Sequence, residues 1–228
     1  MALLLILETA TKNCSIALSE NGHVIESIDF NDGHFSHSEK LHVFIEEICI
    51  KSGRKLNKLD AIAVSKGPGS YTGLRIGVSA AKGLCYGLNI PLISLETLEI
   101  LSRTYASNCK VSSKDLIIPM IDARRMEVYT AVYDSKFKKI KDTEALILKE
   151  DSFDEFLNKS VCHFIGDGAE KSKELYEKEN SKFESSLYPS AAAVAKLAQI
   201  AYDKCEFENV AYFEPYYLKD FVDGKKGA

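Results

Sequence analysis

Apolar residues fill positions 3–7 without a polar break, and the run stops at Glu8 and the turn Thr9-Ala10-Thr11-Lys12-Asn13. An uninterrupted stretch of this length predicts a central strand covered on both faces. Residues 14–19 and 24–30 flank Asn21-Gly22, a pair that tolerates positive φ and closes a tight hairpin. Ser36-His37-Ser38-Glu39 has capping-box spacing and predicts a helix start at which hydroxyl and carboxylate bond free backbone amides. Behind it Leu41, Phe44, Ile45 and Ile48 form the stripe of an amphipathic helix. Val43 and Ile50 lie off that stripe and predict a second apolar patch. Residues 59–64 read as a buried strand, 66–71 as a Gly/Pro loop, 72–87 as a helix, 91–94 as a strand and 96–105 as a helix.

From Lys114 the order restarts. Residues 116–121 end in Asp122 as residues 3–7 end in Glu8, residues 127–133 alternate, and Ile140 marks a third strand. A helix at 152–157, a strand at 161–165 and Gly166-Asp167-Gly168 follow, the last standing where the first half has Gly67-Pro68-Gly69. Helices at 169–178 and 190–203 complete the copy. Two successive βββαβα units predict an α/β chain of two similar lobes with a cleft between them, the ground plan of the actin-like (ASKHA, ribonuclease H-like) superfamily. The lobes are expected at 1–106 and 107–228, with the helix at 190–203 packing back on the first. The tail from Asp223 to Ala228 is small and charged and is expected to be disordered.

Composition narrows the function classes. Twenty-nine Lys and Arg against thirty-three Asp and Glu leave a formal charge of −4, so there is no global basic field for a nucleic-acid backbone. Any grip on RNA is expected from another subunit. The six cysteines show no C-x-x-C spacing, which fits a reduced cytoplasmic setting better than a zinc site or a disulfide framework. No apolar run approaches the roughly 20 residues that span a bilayer.

The richest stretch runs from Lys66 through Gly67-Pro68-Gly69-Ser70-Tyr71-Thr72-Gly73 to Leu84. A strand feeding a Gly loop that opens a helix gathers free amides and the positive end of a helix dipole, which suits an anion. Gly67, Gly69 and Ser70 are therefore phosphate-loop candidates, although neither the Walker nor the dinucleotide spacing is met. Gly73, Gly77 and Ala81 recur every four residues, which permits close approach of another helix.

This stretch resembles, nearly residue for residue, the signature of the TsaB (YeaZ) family, approximately G-P-G-S-F-T-G-L-R-I-G with a following A-K-G-L. Leu7-Glu8-Thr9-Ala10, Asp122-Ala123-Arg124, Gly166-Asp167-Gly168 and Pro215-Tyr216-Tyr217-Leu218-Lys219 are similar to further landmarks of that family. Glu8 stands where an Asp is usual and Ala10 where a Ser is usual, removing a hydroxyl that actin-like ATPases turn toward phosphate. The resemblance implies a non-catalytic subunit in tRNA threonylcarbamoyladenosine (t6A) synthesis, with no cofactor of its own. It implies TsaD as principal partner, the ATPase TsaE as a further one, a homodimer when TsaD is absent, and tRNA met only through the complex. The related TsaD family carries an H-x-x-x-H metal pair that falls here at Thr97 and Leu101, neither of which replaces an imidazole.

Residues Leu41, Val43 and Ile45 of one helix and Gly73, Gly77 and Ala81 of the next are the interface candidates, expected to present a helical face to the like-built face of TsaD. His34, His37 and His42 read as cap or surface residues, and no catalytic or metal site is assigned. Asp122 with Arg124 and Arg125 reads as an ion pair at a strand end, and Ser70 and Thr72 as capping hydroxyls. Two other readings remain open: an ATP-binding actin-like enzyme using Glu8, Gly67, Gly69 and Gly166, and a metal-dependent peptidase.

Overall fold

The computed structural model describes residues 1–219; the tail expected to be disordered lies outside them. Strand β1 (Leu3–Glu8) is central in the first sheet, antiparallel to β2 (Cys14–Glu20), which pairs with β3 (His23–Phe30). On its other side β1 is parallel to β4 (Ala61–Gly67), followed by β5 (Leu92–Glu96). Asn21 and Gly22 both hold positive φ, 51° and 75°, as a tight hairpin requires.

The second sheet repeats the pattern. Strand β6 (Leu116–Asp122) is antiparallel to β7 (Glu127–Asp134), which pairs with β8 (Lys139–Ile147); on its other side β6 is parallel to β9 (Cys162–Ile165), followed by β10 (Ser181–Glu184). The sheet orders β3-β2-β1-β4-β5 and β8-β7-β6-β9-β10 are the same order written twice. This is the two-lobed, duplicated actin-like architecture.

Both faces of the first sheet are covered. Helices α1 (His37–Ser52) and α2 (Tyr71–Leu88) pack Leu41, Phe44, Ile45, Ile48, Val78 and Ala81 against alternate residues of β1, β2 and β4. The opposite face receives α6 (Ala195–Asp203) and the 3-10 turn before it, whose Ala191, Val194, Ala195 and Ala198 lie against Leu4, Ile6, Ala61 and Ala63. Small alanines let that helix approach closely. Helix α3 (Thr97–Asn108) stands between the sheets: Ile100 joins the first core, while Leu98, Leu101 and Tyr105 join Ile117, Ile121 and Ile165 of the second. The outer face of the second sheet is closed by Phe153, Phe156 and Leu157 at α4 (Asp154–Leu157) and by Tyr176 of α5 (Lys173–Tyr176). Burying one side chain of the Leu4–Leu7 type stabilises by roughly 1.5–3 kcal/mol, which is why β1 and β6 anchor their lobes.

Three local expectations are corrected. Ser36 occupies the N-cap of α1, but its side chain makes no cap bond; its carbonyl accepts from Glu39 N instead. The helix expected at 169–178 is a 3-10 turn plus the single turn α5, and β10, unsignalled by its polar sequence, follows. Residues 190–203 begin as a 3-10 turn rather than as one helix.

Beyond α6 the chain returns as a strap over the first lobe. Glu208 N donates to Leu92 O at 2.8 Å, Lys82 Nζ to Phe213 O at 2.8 Å, and Tyr216 N to Lys66 O at 2.6 Å. Lys219 then pairs with Glu127 of the second lobe.

Candidate functional site

At the mouth of the first lobe the polar turn after β1 packs directly into the start of α2. Ser70 N donates to Ala10 O at 2.7 Å, the Thr9 hydroxyl to Gly73 O at 2.8 Å, and Gly73 N to Ser70 Oγ at 3.3 Å. A Cβ at Gly69 would stand 2.4 Å from Ala10 O, at Gly73 2.1 Å from Thr9 O, and at Gly77 2.2 Å from Thr9 Oγ1. Gly67 holds φ 110° against Tyr216 of the strap. The phosphate-loop candidates Gly67, Gly69 and Ser70 thus lie together, but their role visible in the fold is contact with the chain's own turn and strap.

Glu8 sits at the bottom of this junction, fully buried. Ala10 N donates to its Oε1 at 2.6 Å, and its Oε2 has no partner. Burial pushes its carboxyl up to about 8, so near neutral pH it is mostly uncharged. His37 is also buried and hydrogen-bonds Thr11 O through Nε2 at 2.7 Å, and burial lowers its pKa; His34 and His42 are exposed. Among the described residues no three His, Cys, Asp or Glu side chains converge on a metal position. Thr97 and Leu101 are both buried, and Leu101 fills apolar space beside Gly166.

The second lobe uses the equivalent place differently. Asp167 Oδ1 accepts from Asp122 N at 2.9 Å, and burial raises the Asp167 pKa. Lys171 Nζ donates to Asp122, to Arg125 O at 2.8 Å and to Glu127 O at 2.5 Å. The ion pair read from the sequence is corrected accordingly. Asp122 pairs with Lys171, and what it takes from Arg124 is the backbone amide, at 2.9 Å.

The interface candidates are also redistributed. Leu41, Ile45, Gly73, Gly77 and Ala81 are buried inside the first lobe, because α1 and α2 turn that side toward the sheet and toward Thr9. Of the six, Val43 alone is exposed, at 55%. Ile50, one heptad on along α1, is exposed at 73%, and Tyr86 of α2 at 86%. The off-stripe positions Val43 and Ile50 were the available sequence signal for this exposure. Tyr86 gave none, since an aromatic at the end of an apolar helix reads equally as core.

The family model for TsaD, tRNA N6-adenosine threonylcarbamoyltransferase, matches residues 33–222. The chain is 30% identical to the tRNA threonylcarbamoyladenosine biosynthesis protein TsaB of Haemophilus influenzae, over 98% of this chain and 96% of that protein. The solved structure of YeaZ from Pseudomonas aeruginosa superposes with a TM-score of 0.81 at 25% identity, covering 96% of this chain and all of that one. A tRNA N6-adenosine threonylcarbamoyltransferase of Bacillus subtilis is 38% identical over 37% of this chain and 23% of its own length.

Proposed function

The chain belongs to the TsaB family of tRNA threonylcarbamoyladenosine biosynthesis proteins, and we propose that within this synthesis it is a docking subunit that supports a TsaD-type transferase without making bonds itself. The observation that carries this reading is the outer face of α1 and α2, where Val43, Ile50 and Tyr86 leave apolar surface uncovered. Apolar and aromatic side chains rimmed by polar ones are what a partner buries. TsaD shares the fold, so its equivalent helices would meet α1 and α2 as a bundle of four. The same face would pair two copies of this chain when TsaD is absent. TsaE joins the pair as a further partner, and most of the hold on tRNA comes through the complex. Free thiols at all six cysteines and the absence, among the described residues, of a helix able to cross a membrane agree with a cytoplasmic location.

The non-catalytic part of the reading rests on chemistry. Leu101 stands where the resemblance puts a metal ligand, Glu8 is mostly neutral, and the Gly loop is occupied by residues Thr9 and Ala10. Reconstitution of t6A synthesis with TsaD, TsaE and TsaC, the enzyme expected to make the threonylcarbamoyl-adenylate that TsaD uses, with and without this chain, tests the role; full modification in its absence overturns it. The surface is tested by Val43→Glu with Ile50→Glu, which should abolish retention of TsaD while leaving the circular dichroism spectrum intact. Undiminished retention moves the interface elsewhere. Stoichiometric ATP binding by the isolated chain would restore the enzyme reading.

A further inference from the structure

The hairpin tip between β6 and β7 has properties that docking leaves unused. Arg124 and Arg125 both hold left-handed φ, 70° and 51°, and such successive positions ordinarily select Asn, Asp or Gly. Their backbone is held from several sides. Arg124 N donates to Asp122 Oδ1, Glu127 N donates to Arg124 O at 3.2 Å, Leu148 N to Met126 O at 2.8 Å, and Lys171 binds the carbonyls of Arg125 and Glu127. Their side chains, by contrast, are exposed, and among the described residues neither guanidinium has a carboxylate partner.

Other charged groups lie around the tip. Lys12 from the first lobe acts on Asp167, Lys171 pairs with Asp122, Lys219 pairs with Glu127, and Tyr129 lies within the influence of both Lys219 and Arg124. Lys171 and Lys219 are thus matched by Asp122 and Glu127, whereas among the described residues no carboxylate pairs with Arg124 or Arg125.

From this we infer that the Arg124–Arg125 tip is a direct contact of this chain with the phosphate backbone of RNA. Guanidinium forks pair with phosphate oxygens in a fixed planar geometry, and a stiff tip that carries two of them open to solvent is prepared for such a ligand. The two arginines occupy a conformation that Gly or Asn would relieve, so the backbone favours other residues and the side chains supply the reason for these. RNA is favoured over an acidic protein because the family's reaction modifies a tRNA; the inference rests on that reading to this extent, and adds a direct contact to the grip assigned to the partner.

The test is Arg124→Gly with Arg125→Gly, which removes both guanidiniums while suiting the backbone, so thermal stability should be held or raised. Fluorescence anisotropy of labelled tRNA is followed for the chain alone at low salt and for its complex with TsaD, over about 50 to 200 mM salt. Affinity is expected to fall roughly tenfold, and the slope of log affinity against log salt to shrink by about 1–2. Arg124→Lys with Arg125→Lys should recover the slope but only part of the affinity. Unchanged affinity and slope in both preparations overturn the contact. Loss of TsaD retention with unaltered tRNA binding by the chain alone assigns the tip to a protein interface and overturns it too. ATP binding that disappears in the glycine variant assigns it to a nucleotide, with the same consequence. A wild-type chain that fails to retain TsaD sinks only the docking reading, because the chain-alone arm still reads the contact.

Discussion

The two lobes share one strand order and put the loops at their cleft ends to opposite uses. In the first, the turn after β1 is pressed into α2 by three glycines, and the acid at the strand end is buried and mostly neutral. In the second, the strand-end Asp122 is exposed and paired with Lys171, which also holds the adjoining hairpin tip. One half closes on itself and leaves Val43, Ile50 and Tyr86 exposed on its helices; in the other, Lys171 clamps a surface turn.

The packed half should be the less forgiving. Gly77→Leu places its first side-chain atom 2.2 Å from Thr9 Oγ1, and such overpacking is expected to cost about 3 kcal/mol or to prevent folding. Gly83→Ala, in the same helix but with nothing within 4 Å of the added Cβ, should stabilise by about 0.5–1 kcal/mol. Denaturant unfolding of the pair settles the matter, and similar effects at the two sites would break the account of α2.

Next comes pH. Burial raises the Glu8 pKa from 4.5 to about 8, so the folded chain holds this proton more tightly than the unfolded one. Its stabilising contribution is therefore complete below pH 4.5 and is lost as the pH rises through 8, by about 1.4 kcal/mol per unit across the window. Glu8→Gln keeps the neutral form, so its stability relative to the parent should climb with pH and level off above about 8. Parallel stability curves from about pH 5 to about 9 would show that Glu8 ionises like a surface acid.

The smallest effect of the charged half is Lys171→Met, expected to cost about 1–2 kcal/mol by freeing Asp122 and two carbonyls at a partly exposed site. Faster amide exchange at Arg124, Arg125 and Met126, with β6 unaffected, would locate the loss at the tip. Exchange spread across the sheet would mean that the clamp holds the lobe rather than the turn.

Much of the fold was legible because repetition is a property of the chain itself. The apolar run of β1 and the Asn21-Gly22 hairpin follow from local sterics and periodicity. Strand β10 and the strap were hidden, since Ser181–Glu184 alternates without apolar strength and residues 206–219 gain their structure from contacts with Leu92, Lys82 and Lys66. The site was half legible. Val43 and Ile50 announced an outer patch, whereas Gly73 and Gly77 could not declare a side, because a glycine has no side chain whose polarity reveals what it faces.

By itself the sequence determined that a βββαβα unit is written twice, that its loops turn on glycine, and that α1 carries apolar residues on more than one face. These depend on interactions within a few residues of one another. Only the tertiary structure decided that the glycines admit Thr9, that burial raises the Glu8 pKa, and that two arginines stand on a backbone-held tip with no carboxylate partner among the described residues. Burial, pairing and the field at a charge are set by residues distant in the chain, and folding alone brings those together.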